Sequence, residues 1–280
     1  MPVHPLSSLS STVLALRRAG CVFAEDEARL LHDAAASADE LSSLVERRAA
    51  GLPLEHVLGW ADFHGRRFAV DPGVFVPRRR TEFLVARAAA LAPRRAVVLD
   101  LCCGSGALGV ALASAADTAE LHACDVEPAA VRCARRNVGD LGHVYEGDLF
   151  APLPVALRGR VDVLLANVPY VPTGDVELLP AEARVHEPRV ALDGGGDGLD
   201  VMRRVAAEAP RWLAPGGSLL VEASERQRDA AVEVLRAAGL GPRVLVSEEL
   251  YATVLVGTAE QSAIPPWGDP AAAPNTPAQD

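Results

Sequence analysis

The sequence predicts a doubly wound α/β protein preceded by a small helical unit, and three observations carry that reading. From residue 96 onward, short apolar runs alternate with segments of helical periodicity, the pattern of strands and crossover helices in a mostly parallel sheet. Two of the runs, Ala96-Val97-Val98-Leu99-Asp100-Leu101 and Val161-Asp162-Val163-Leu164-Leu165-Ala166, are nearly continuous, as expected for strands buried on both faces. The first run passes through Cys102-Cys103-Gly104-Ser105-Gly106 into a helical segment, a turn of the kind that receives ligands at a strand's carboxyl end.

Taken in order, residues 1–50 read as helical from about Leu6. Leu9, Val13, Leu14 and Leu16 suit a first helix ended by Gly20. Glu25-Asp26-Glu27 places acids in the first turn of a second, and residues 37–39 can cap a third that carries Leu41, Leu44 and Val45 on one face. Residues 51–78 change character. Gly51-Leu52-Pro53 breaks the helix, and His56-Val57-Leu58, Phe63-His64-Gly65, Arg67-Phe68-Ala69-Val70 and Val74-Phe75-Val76-Pro77 alternate β-like runs with turn residues. A small hairpin joining two domains is expected there. Residues 79–260 form the α/β domain, beginning with a helix over 81–91. Its strands fall at 96–101, 119–125, near 144–146, up to 167, at 218–222, and at 243–246 and 253–256, the last two pairing as an antiparallel edge. Pro215-Gly216-Gly217 turns into the fifth of these. Residues 261–280, rich in Pro and Ala, read as a disordered tail. The irregular stretch 171–198 is long enough to be functional.

Half the residues are hydrophobic and 23% are charged, the composition of a globular protein. The net charge is −10, with every basic residue an Arg; this disfavours the phosphate-driven affinity of a nucleic-acid binder. Arg78-Arg79-Arg80 is the best basic patch and reads as a solvated face. Five cysteines show no C-x-x-C pair and no zinc spacing, so no metal site is expected and a reducing compartment fits. Met1-Pro2-Val3-His4-Pro5 lacks the features of a signal peptide, and no apolar run reaches about eighteen residues. A cytoplasmic protein is expected.

Two constellations carry chemistry. Asn167-Val168-Pro169-Tyr170 follows a buried strand. The Asn167 side-chain oxygen and the Val168 carbonyl offer two acceptors, Pro169 biases Val168 towards an extended conformation, and Tyr170 can cover a planar group. Together they make a cradle for an amide or an exocyclic amine; a proline turn after a strand is the plain alternative. The second is Gly104-Ser105-Gly106-Ala107-Leu108-Gly109, which matches G-x-G-x-x-G, with Asp125 about twenty residues on where a ribose-binding acid is expected. That pattern allows an NAD enzyme. Asp100 and Cys102-Cys103 before the first glycine make a wider turn, which suits S-adenosylmethionine: helix amides for its carboxylate, Asp100 near its ammonium. Asp125 would take the ribose hydroxyls. Asp148 would accept from the adenine amine while Leu149 or Phe150 covers the ring. Asp125 and Asp148 as simple caps are the competing reading.

These residues resemble the HemK/PrmC family of protein-(glutamine-N5) methyltransferases. The likeness runs from about Gly51 to Gly257, through Val76-Pro77-Arg78 with Thr81-Glu82, the loop from Val98 to Gly106, Glu187-Pro188, Ala191-Leu192-Asp193-Gly194-Gly195, Asp197-Gly198-Leu199 and Glu222 with Gln227. It implies a seven-stranded methyltransferase sheet with its last strand antiparallel, a substrate-binding N-terminal domain, and S-adenosylmethionine as cofactor. The implied acceptor is a protein glutamine, that of the GGQ motif in peptide-chain release factors. The resemblance assigns Asn167 as side-chain acceptor, Val168 as backbone acceptor and Tyr170 as flanking aromatic. Two departures stand out: Val168 replaces the first Pro of NPPY, and Arg79-Arg80 replaces Pro-Glu in PRPETE. Both lie on the acceptor side. An N6-adenine methyltransferase and a non-catalytic S-adenosylmethionine-binding protein are the alternatives.

Overall fold

The structure is a computed structural model that describes residues 8–260. The helical start at Leu6 and the disordered tail expected over residues 261–280 lie outside the described residues. Three helices come first: α1 (Leu9–Arg18), α2 (Ala24–Ala34) and α3 (Ala38–Ala49). Ser37 caps α3, its hydroxyl accepting from the Glu40 N–H at 3.1 Å, and the three acids in the first turn of α2 complement its dipole. Leu16, Leu31, Leu41 and Val45 form a separate small core. Arg48 of α3 is only 6% exposed and forms a bidentate pair with Glu27 of α2 at 2.6 and 3.2 Å.

The following segment departs from the hairpin expectation at both ends. Residues His56-Val57-Leu58 are helical, within α4 (Leu54–Leu58), because Gly59 supplies a left-handed cap at φ 81°. His56 is buried and hydrogen-bonds the Val74 carbonyl at 2.8 Å. The hairpin itself is β1 (Trp60–Phe63) and β2 (Arg66–Ala69), turned by His64 and Gly65, both at positive φ. The run from Val74 to Pro77 pairs with no strand. Its apolar residues serve packing: Val74 and Val76 are buried with Ala61, Val70, Ala130 and Cys133.

The remaining elements alternate as expected, except that the 171–198 stretch read as irregular holds a short helix, Ala181–His186. They are α5 (Glu82–Leu91), β3 (Ala96–Leu101), α6 (Ala107–Ala115), β4 (Thr118–Asp125), α7 (Pro128–Val138), β5 (Gly142–Glu146), β6 (Val161–Ala166), α8 (Ala181–His186), α9 (Asp200–Glu208), β7 (Leu213–Ala223), α10 (Arg228–Ala237), β8 (Leu240–Ser247) and β9 (Ala252–Ala259). The seven-stranded sheet has the order β5-β4-β3-β6-β7-β9-β8, and β9 runs antiparallel to both neighbours. Apolar clusters cover both faces, which is why β3 is buried at every residue and reads as an apolar run broken only by Asp100. Pro215-Gly216-Gly217 lies inside β7 rather than ahead of it. The pairing with β6 skips there, from Val161↔Leu213 to Val163↔Ser218, and a Cβ on Gly217 would sit 2.6 Å from the Val161 carbonyl. Among the described residues no helix is long and apolar enough to cross a membrane.

Removing one partner of a buried ion pair strands the other charge. Arg48→Ala is therefore expected to lower stability by about 3–5 kcal/mol, read from denaturant midpoints. The double variant Arg48→Met with Glu27→Leu should recover most of the loss.

Candidate active site

Four strand ends meet at one rim. In-register pairing aligns Leu101 with Cys124 and with Ala166, and Asp125 with Glu146. The residues that follow (Cys102, Val126, Gly147 and Asn167) all border one cavity.

The loop after β3 winds through left-handed conformations at Cys102 (φ 54°), Gly104 (54°) and Gly106 (77°) before α6 begins. A Cβ on Gly106 would lie 3.2 Å from the Val138 side chain, so glycine there also lets α7 pack close. Gly109, the last of the G-x-G-x-x-G set, is a packing glycine: its missing Cβ leaves room for the Asp100 carboxylate, 3.0 Å away, and for Leu121. Asp100 is fully buried. Its Oδ2 accepts from the Gly109 N–H at 2.8 Å, while Oδ1 has no partner. Burial pushes this carboxyl up to about 7, the Asp125 charge adds to the rise, and the Gly109 N–H opposes it.

Asp125 caps the following turn, as one reading of it expects, and also faces the cavity. Its oxygens accept from the Gly104 N–H at 2.8 Å and the Glu127 N–H at 2.9 Å, tying the glycine loop to the start of α7, and it lines the cavity with lone pairs to spare. Burial raises its carboxyl above the ordinary value against these backbone donors. Ser105 and Cys102 line the same space. Asp148 lies at the rim, where Arg204 of α9 holds it at 2.5 Å. Leu149 borders the cavity, but Phe150 does not. Leu149 sits at φ 50°, and the turn sends Phe150 into the core, stacked on Trp212 with ring centroids 5.3 Å apart. Of the two, Leu149 is therefore the one that faces the cavity, and Phe150 belongs to the core.

Sequence reasoning missed the opposite wall. Val74, Phe75 and Pro77, from the run after the hairpin, and Pro188, Val190 and Ala191, from the 171–198 stretch, close the cavity. The one signal for the first group was an apolar run that no strand pairing explains.

Asn167 lines this cavity and also a second cleft, shared with Val168, Tyr170, Arg78 and Arg80. Pro169 faces the first and Tyr170 the second. Neither the Asn167 carboxamide nor the Val168 carbonyl has a hydrogen-bond partner among the described residues. The Tyr170 carbonyl, by contrast, is held. Gln227 donates to the Tyr170 carbonyl at 2.8 Å and the Asp197 carbonyl at 2.9 Å. A Cβ on Gly194 would lie 2.6 Å from the Pro169 carbonyl, and one on Gly198 would lie 2.3 Å from that of Tyr170. The glycines of the 194–198 run thus let a second backbone lie against Pro169 and Tyr170.

Arg78-Arg79-Arg80 is not a plain solvated face. Arg78 binds both oxygens of buried Glu187 at 2.6 Å, and Glu187 also accepts from the Val76 N–H at 3.1 Å. Arg80 bonds buried Glu222 at 2.7 Å and the Tyr170 hydroxyl. Of the three, only Arg79 is exposed with no partner among the described residues. The pattern was missed because all three arginines read alike until their distant carboxylates, on the 171–198 stretch and on β7, are placed beside them.

The donor set fits S-adenosylmethionine. An unpartnered buried carboxylate oxygen calls for a cationic or N–H group, the Asp125 oxygens suit a diol, and Leu149 suits a flat ring. A methyltransferase small domain model matches residues 65–204. A methyltransferase from Pyrococcus furiosus shares the fold, with a TM-score of 0.53 over 69% of this chain and 88% of that one at 15% identity. Fold and cavity define an S-adenosylmethionine-dependent methyltransferase. The release factor glutamine methyltransferase of Geobacter sulfurreducens is 42% identical over 199 residues, 70% of this chain and 69% of that protein. That of Mycolicibacterium smegmatis is 44% identical over 193 residues, 68% of each. This chain belongs to the release factor glutamine methyltransferase family.

The Asp100 carboxyl titrates near 3.8 when free and near 7 in the fold, so the folded state holds the proton more tightly. Its contribution to stability is full below about pH 4 and is lost as pH rises to about 7. Asp100→Asn should flatten that fall in a pH series of denaturation midpoints. An unchanged slope would assign the fall to another group.

Proposed function

We propose that this chain methylates the side-chain amide nitrogen of a glutamine in a protein, a peptide-chain release factor, in the cytoplasm. The observation that carries the reading is Asn167. In a chain over 40% identical to release factor glutamine methyltransferases, it stands in the wall common to the cofactor cavity and the neighbouring cleft.

S-adenosylmethionine supplies an electrophilic methyl group on a sulfonium centre. Asp100, Asp125, Leu149 and the loop from Cys102 to Gly106 would hold it, with Asp148 at the rim. The acceptor nitrogen of an amide is a poor nucleophile because its lone pair is delocalised. Asn167 Oδ1 and the Val168 carbonyl would accept its two N–H bonds, fix its direction and favour positive charge developing on it. Both acceptors lack partners among the described residues, so their lone pairs are available for this. Pro169 restricts Val168 to extended conformations, which keeps the backbone acceptor although Val replaces Pro at position 168. Tyr170 flanks the carboxamide. The N-terminal helices would bind the body of the acceptor protein. They are joined to the cleft by Arg48, which reaches Glu182 of α8 at 2.8 Å, and Glu182 lines the cleft.

Two alternatives separate cheaply. An adenine N6 amine would fit the same pair of acceptors, but the relatives' names favour a protein glutamine, and labelled methyl should appear in release factor and not in nucleic acid. Equilibrium binding of S-adenosylmethionine against NAD tests the dinucleotide reading. Asn167→Ala is expected to lower turnover on release factor by about a hundredfold or more, with cofactor affinity nearly unchanged. Wild-type turnover in that variant would remove Asn167 from the chemistry.

A further inference from the structure

The arginine at position 80 sits where this chain departs from the PRPETE pattern, and its surroundings are more specific than a surface ion pair. Surface pairs contribute little. Here the carboxylate is Glu222, 4% exposed, and three donors converge on it. They are Arg80 Nε at 2.7 Å, Thr81 Oγ1 at 2.7 Å and the Tyr170 hydroxyl at 3.3 Å. The same guanidinium donates through Nη2 to the Tyr170 oxygen. Burial and then the Glu222 charge push the Tyr170 phenol up to about 12, against the Arg80 cation, so it stays protonated at neutral pH. A protonated phenol has one proton to give: Tyr170 donates to Glu222 and accepts from Arg80, which leaves its oxygen a single orientation.

Arg80 and Tyr170 together also separate two spaces. Both line the cleft that Asn167 borders, and both line a second groove behind it, beside Glu225, Glu248 and Tyr251. Truncating Arg80 would merge the two spaces, giving the Tyr170 ring room to swing away from Asn167.

We propose that Arg80 is a positioning residue for methyl transfer: by clamping the Tyr170 phenol against buried Glu222 it fixes the wall of the acceptor cleft beside Asn167. This rests on the reading of that cleft as the glutamine site. Arg80 acts through Tyr170, so its loss should slow turnover while cofactor binding, on the other side of Asn167, is spared.

The test is a double-mutant cycle on unmethylated release factor with labelled S-adenosylmethionine. It compares wild type, Arg80→Ala, Tyr170→Phe and the double variant, with cofactor affinity measured by calorimetry. Each single variant is expected to lose about tenfold in kcat. The double should lose no more than the worse single, because both substitutions cut one tether. Cofactor affinity should stay within about twofold, Arg80→Lys should recover part of the loss, and Arg79→Ala should match wild type. If Arg80→Ala does not fold, the same cycle runs with Arg80→Lys, since Tyr170→Phe leaves the Arg80–Glu222 pair in place. Multiplying losses in the double variant, wild-type kcat in Arg80→Ala, or cofactor affinity falling in step with kcat would each overturn the proposal. A wild-type protein that transfers nothing to release factor would instead overturn the reading of the cleft, and this inference with it. An active wild type with indifferent Arg80 variants sinks this inference alone.

Discussion

The register of four parallel strands is the constraint on which the site depends. Parallel pairing places β3, β4, β5 and β6 side by side with their carboxyl ends level, so residues far apart in sequence arrive at one rim. Because side chains alternate faces along a strand, a slip of one residue would turn them to the wrong face. Asp100 would then leave its buried place against α6, and Asn167 would leave the wall between two cavities. The apolar clusters on both faces hold the register, so the core that stabilises the sheet also aims the polar groups.

Most of this was legible in the sequence, for a physical reason. A strand buried on both faces has to be apolar throughout, so a lone Asp100 or a terminal Asn167 stands out against its run. Asp125 and the glycine loop stood out instead through the G-x-G-x-x-G spacing. Local pattern failed where a residue's meaning depends on a partner far away in sequence. The positive φ at Leu149 decides that Phe150 faces Trp212, and no local pattern announces a left-handed leucine. His56-Val57-Leu58 alternates no better as strand than as helix, and Gly59 settles it by capping a helix of five residues. Arg78 and Arg80 look like solvated charges until Glu187 and Glu222 are brought to them by the fold.

The two sides of Asn167 are built differently. On the side of the first cavity, the polar groups are fixed by backbone N–H donors: Gly109 to Asp100, Gly104 and Glu127 to Asp125. On the side of the neighbouring cleft, the wall is assembled from distant pieces, with α8 pinned to α3 through Arg48 and the 171–198 stretch pinned to the post-hairpin run through Glu187. Both departures from the family pattern, Val168 and Arg79-Arg80, fall on the assembled side.

The position of β9 has a consequence for how the molecule comes into being. This strand, the last described element in the chain, is inserted between β7 and β8 and pairs with Glu222 through Val254. A nascent polypeptide that has not yet delivered Ala252–Ala259 leaves the β7 margin bare, open to foreign strands, and leaves the backbone under Glu222 unsupported. Competence for catalysis therefore arises late in biosynthesis, and a chain cut short before residue 252 would aggregate rather than work slowly.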